Sequence, residues 1–126
     1  MILSRVTVVI GESKELIERG SDNLIADDKN KATDIEVIKF PECYKHPKLY
    51  TKELKGRLLK DVKERFIILS FSEDVLNLLG HMIYKNLLLK EEVEVYIFND
   101  VEVRKSNYDV EGFLENYPPG YLSWSE

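Results

Sequence analysis

One cysteine, four prolines and two histidines are all that 126 residues contain of those types. A single thiol, Cys43, excludes an internal disulfide and suits a reducing cytoplasm. By itself Cys43 reads as a packed or incidental thiol. Long apolar runs are missing too. Stretches such as 66–69 and 87–89 fall far short of the ~20 residues that span a bilayer. The amino-terminal MILSRVTVVIGESKE has neither a basic leader nor a long apolar run, so a cleaved signal is not expected. There is no excess of positive charge, with 18 Lys and Arg against 23 Asp and Glu, a formal charge of -5. Counterion release from a phosphate backbone needs clustered cations. Between residues 45 and 64 the cations instead alternate with Glu53, Asp61 and Glu64, as on a solvated helix face. Nucleic acid is therefore not favoured as a partner. The negative charge is also too diffuse to mimic DNA.

What is present is an ordinary globular balance of 44% hydrophobic and 33% charged residues. It suits one domain over residues 1–126 with one modest core. Residues 5–10, RVTVVI, are β-branched, stop at Gly11 and read as a buried strand. A short helix over 13–19 would start at Ser13 and end at Gly20. The polar stretch 21–33 reads as a surface loop. A second strand follows at 35–40. Pro47 then suits the first turn of a helix running to about Glu64. Leu49, Leu54, Leu58, Leu59 and Val62 lie on or near one face of it. FIILSF, 66–71, is a central strand covered on both sides. Ser72 caps the next helix, expected to reach about Leu89, with Glu73 and Asp74 in its first turn. Its apolar set is Val75, Leu76, Leu79, Met82, Ile83 and Leu87. VEVYIF, 93–98, is a further strand, and 101–108 returns as its hairpin partner. Strands alternating with helices predict an α/β fold. Its mainly parallel sheet is flanked by helices and carries a carboxyl-terminal antiparallel edge hairpin.

The segment 35–49, IEVIKFPECYKHPKL, resembles the Walker B region of ABC-type ATPases related to RecF, SMC proteins and overcoming-lysogenisation-defect nucleases. There an apolar strand ends in Asp-Glu-Pro-Glu, and Leu-His-Pro and a helix follow. Here Lys39 stands at the magnesium-holding Asp and Phe40 at the water-activating Glu, while Glu42 and His46 keep family-like positions. FIILSFSEDV resembles the next strand of that family, which ends in Thr-His-Ser. Phe71 takes the place of the His that senses the γ-phosphate. VYIF and the ending ENYPPGYL extend the similarity to about residues 35–124. The resemblance implies the carboxyl-terminal lobe of an ABC ATPase whose chemistry has been lost.

The missing motifs agree with such a loss. A P-loop enzyme needs a glycine-rich loop and a Lys for the phosphates, with Asp and Ser/Thr around magnesium. No G-x-x-x-x-G-K-[ST] occurs, and Gly11-Glu12-Ser13-Lys14 shares only a Gly and a Lys with it. Glu12, Asp34 and Glu42 lack the Asp-x-Asp that a Toprim-type nuclease adds. Glu42, Cys43, His46 and His81, the last expected to be half-buried, match no zinc spacing. No G-x-S-x-G marks a nucleophile. No catalytic residue, metal or cofactor is expected. The chain reads as a non-catalytic, cytoplasmic protein-interaction module, pairing with a complete ATPase or with itself. It would regulate a nucleic-acid-processing or defence system. Tyr117, Tyr121 and Trp124 are candidate contact residues, because Tyr and Trp are frequent in binding hot spots. The alternative is a small-ligand or nucleotide-binding enzyme domain, with a polar site at the carboxyl edge of the sheet. In the interaction module, Phe40 and Phe71 would fill that place. A purely structural homodimer would instead need an exposed apolar helix face.

Overall fold

The computed structural model describes residues 4–27, 35–43, 46–60, 65–99 and 103–115. The strands are β1 (Val6–Gly11), β2 (Ile35–Lys39), β3 (Arg65–Leu69), β4 (Val93–Phe98) and β5 (Val103–Asn107). The α-helices are α1 (Lys14–Ala26), α2 (Pro47–Lys60) and α3 (Glu73–Tyr84). They build one five-stranded sheet in the order β2-β3-β1-β4-β5. The first four strands are parallel and β5 is antiparallel to β4. This is the α/β class, with its antiparallel edge pair, that the alternation of elements predicts.

Both faces of the central strands are buried, which is why β1 and β3 read as continuous apolar runs. Val6, Val8, Phe66 and Ile68 face a core completed by Tyr50, Leu54 and Leu58 of α2 and Val75, Leu79 and Met82 of α3. Val9, Ile67 and Leu69 face the opposite way, toward Ile17 and Leu24 of α1. So α1 covers one face alone, and α2 and α3 share the other. From β1 the chain crosses over the α1 face to reach β2. The other two crossovers run in the opposite direction over the opposite face. All three therefore have the same hand, as parallel crossovers require.

Several boundaries differ from the sequence expectation. Ser13 does cap α1, accepting from the Leu16 N–H at 3.2 Å. The helix, however, passes through Gly20 to Ala26, so residues 21–26 of the expected loop are helical. Gly20 is there for packing. A Cβ on it would stand 2.6 Å from the ring of Phe98. On α2 the buried face is Tyr50, Leu54 and Leu58, whereas Leu49 and Leu59 are exposed. Helix α3 ends at Tyr84 rather than near Leu89. Asn86 adopts a left-handed φ of 62°. Its N–H donates to Ile83 O at 3.0 Å, and the Leu87 N–H to Met82 O at 2.8 Å. These are the paired bonds of a Schellman stop. After that turn Leu88, not Leu87, returns to the core. Val62, Asp34 and residues 28–33 of the expected loop lie outside the described residues.

Candidate functional site at the carboxyl edge of the sheet

Strands β1 and β3 are neighbours, yet β1 leads to α1 on one face and β3 to α3 on the other. Adjacent strands whose exits diverge in this way leave a crevice at their carboxyl ends, where open α/β sheets place ligands. The residues that follow these strands and their neighbour β2 at this edge are 11–14, 40–43 and 70–74.

Two aromatic rings meet there. Phe40 and Phe71 stack with centroids 5.2 Å apart and planes inclined by 25°. Phe40 is buried at 4% exposure, whereas Phe71 is 40% exposed. The Lys14 ammonium lies 5.5 Å from the centre of the Phe40 ring, within cation–π range. Phe40 has a φ of 47°, the left-handed region that a bulky side chain rarely adopts. Two backbone bonds hold it: its N–H donates to Leu69 O at 2.7 Å, and its carbonyl accepts from the Cys43 N–H at 3.0 Å.

Beside the rings lies a polar network whose members bind one another. Glu42 Oε1 accepts from Ser70 Oγ at 2.8 Å and Oε2 from the Phe71 N–H at 2.7 Å. Ser70 Oγ in turn accepts from the Ser72 N–H at 2.8 Å. Ser72 caps α3 by accepting from the Asp74 N–H at 3.1 Å. The Tyr50 hydroxyl stands 2.6 Å from Ser72 Oγ and donates to Asp74 Oδ2 at 3.2 Å. Burial holds the Tyr50 phenol above its ordinary range. Its bond to Ser72 opposes that shift, and the Asp74 carboxylate adds to it. The network braces the turn into α3 against the start of α2. Ser72 was legible in the sequence as a cap. Tyr50 was not singled out, although its spacing of four from Leu54 and eight from Leu58 marks one helix face.

The other candidate residues scatter. Lys39 is exposed and stands 3.6 Å from Glu18 of α1. His46 is exposed, and its Nδ1 accepts from the Lys48 N–H at 3.2 Å. Its carbonyl accepts from the N–H groups of Leu49 and Tyr50 at 2.9 and 3.1 Å, so His46-Pro47 is the start of α2. Cys43 is an exposed thiol on a single 3-10 turn, Pro41–Cys43. His81 is exposed rather than half-buried. It borders a groove of about 630 Å³ between α3 and the turn after β5, floored by Leu76, Tyr108 and Leu114. Among the described residues, no three His, Cys, Asp or Glu side chains are grouped to hold a metal ion. Tyr117, Tyr121 and Trp124 lie outside the described residues.

Compared with family models, curated proteins and solved structures, the chain matches none. Among the described residues, no helix is long and apolar enough to cross a membrane.

Proposed function

We propose that this chain is a non-catalytic protein-interaction module. In this proposal it is a half-domain of an ABC-type ATPase that has lost Walker A, the Walker B acids and the sensing His. It acts in the cytoplasm, on a complete ATPase of a nucleic-acid-processing or defence system or on a second copy of itself. The observation that carries the proposal is the Phe40–Phe71 stack at the mouth of the β1–β3 crevice. A nucleotide site there needs room and donors for phosphate, and a hydrolase needs a carboxylate free to order magnesium or water. An apolar ring takes up the room instead. The one acid kept at a family-like position, Glu42, has both oxygens bound to the α3 turn. The half-exposed face of Phe71 supports a contact role, since aromatic side chains with one open face anchor protein interfaces.

Thermal unfolding with and without ATP-Mg²⁺ and ADP-Mg²⁺ tests this. A ligand that binds the native state raises the midpoint in a saturable way. The expected result is no shift at millimolar nucleotide. A saturable rise with either nucleotide would overturn the proposal and restore the ligand-binding alternative.

A further inference from the structure

An exposed ring on a tightly braced turn lines the groove beside α3 without filling it. The turn, residues 109–113, follows β5. Asp109 Oδ1 accepts from the N–H groups of Glu111 and Phe113 at 2.9 and 3.0 Å. The Asp109 carbonyl accepts from the Gly112 N–H at 3.1 Å, and the Asp109 N–H donates to Phe113 O at 2.8 Å. Gly112, at a φ of 85°, packs so closely on Gly80 of α3 that neither position has room for a Cβ. Phe113 is nevertheless 67% exposed, and Tyr84, which lines the same groove from α3, is 61% exposed. Leu87, Leu89 and Val110 are exposed in the same two stretches of chain. Of the ten large hydrophobic side chains exposed among the described residues, five therefore lie within 84–89 and 110–113. A backbone held by four bonds has little freedom left to lose when the ring it carries is covered, which favours binding.

We propose that this face is a two-fold interface, in which a second copy of the chain inserts its Phe113 ring into the groove. The choice of a second copy rests on the interaction role above, while the surface itself is separate from the crevice. An isologous interface must carry knob and hole on one surface, and Phe113 and the groove beside it do so. The groove, of about 630 Å³, has room for the ring, since a cavity of ~150 Å³ already takes benzene. His81 borders the groove from α3 and Glu111 from the turn. A two-fold exchange sets His81 of one copy toward Glu111 of the other and brings no like charges together there. The five exposed side chains offer roughly 500 Å² per copy, so a pair reaches the ~1,000 Å² at which specific interfaces begin. A contact of that size gives a weak, reversible dimer.

Sedimentation equilibrium of the full chain without nucleotide, from micromolar to near-millimolar concentration, tests the interface. The expected result is a monomer–dimer equilibrium with a micromolar dissociation constant. Phe113→Ser should raise that constant at least about 30-fold, as loss of a central aromatic anchor does. Tyr84→Ser should raise it as well, and it preserves the comparison if the first variant does not fold. Leu49→Ser, at an exposed position of α2, should leave it unchanged. A wild type that stays monomeric at the highest concentration would overturn the interface. A dimer that both groove variants leave intact, or that Leu49→Ser breaks instead, would place the contact elsewhere and overturn it equally. A monomer in which Phe113→Ser shifts the emission of Trp124, the one tryptophan of the chain, would assign the groove to the chain's own carboxyl-terminal segment and overturn the second copy. Because no nucleotide is present, these outcomes are separate from the nucleotide test of the interaction role.

Discussion

Both oxygens of Glu42 are occupied, one by a serine hydroxyl and one by the N–H of Phe71. Hydrogen bonds to an ionised group contribute ~1.5–3 kcal/mol, more than neutral ones. Glu42→Gln keeps one acceptor oxygen and loses the charge. It is expected to lower stability by ~1–2 kcal/mol, read as a fall in the urea midpoint at unchanged slope. Tyr50 makes a second residue-scale prediction. Its phenol titrates above the ordinary value of ~10, so the neutral form is favoured in the fold. A raised folded value contributes stability below the unfolded value, and that contribution is lost as pH climbs through the folded one. At pH 8 Tyr50→Phe is expected to be ~1 kcal/mol less stable than the wild type, through its lost bonds to Ser72 and Asp74. Above pH 10 that gap should narrow. A gap that stayed constant from pH 8 to 11 would contradict the assignment. None of these partners was legible in the sequence. Glu42 and Ser70 are 28 positions apart, and only the parallel pairing of β2 with β3 brings them together.

At the scale of elements, the type of each was legible and the ends were not. Alternation and β-branching marked the strands, and the order of strands and helices gave the sheet class. The helix ends failed because glycine and asparagine have two uses. Gly20 looked like a stop and is a contact, since the Phe98 ring leaves no room for a Cβ. Asn86 looked like helix interior and is the left-handed stop of α3. Helix propensity favours alanine over glycine by ~1 kcal/mol, whereas overpacking costs about 1–3 kcal/mol. Gly20→Ala is therefore expected to destabilise by ~1–2 kcal/mol despite the better helix former, measured by denaturant unfolding. Adding Phe98→Leu should recover part of the loss. The same chemistry acts between α3 and the turn after β5. A Cβ on Gly80 would stand 2.3 Å from the carbonyl oxygen of Gly112.

In the whole molecule, a single sheet carries a core on each face, and each core depends on the same strands. Leu58 belongs to the α2–α3 side and Ile17 to the α1 side, both with 0% exposure. Truncating either to alanine is expected to cost ~2–5 kcal/mol, a large share of a typical total of ~5–15. Since β1 and β3 supply side chains to both cores, each variant should still unfold in one transition. Circular dichroism and tyrosine fluorescence should report the same midpoint. Two separate transitions would show that the faces fold independently.

The sequence by itself determined the element types, the α/β class and the antiparallel edge, because these follow from the periodicity of apolar residues along the chain. It also determined that no glycine-rich phosphate loop exists. Only the tertiary structure decided that Phe40 and Phe71 stack at the switch point, that Glu42 braces the α3 turn and that Tyr50 belongs to the core. Those facts depend on strand order, and periodicity within a strand carries no information about which strand lies beside it.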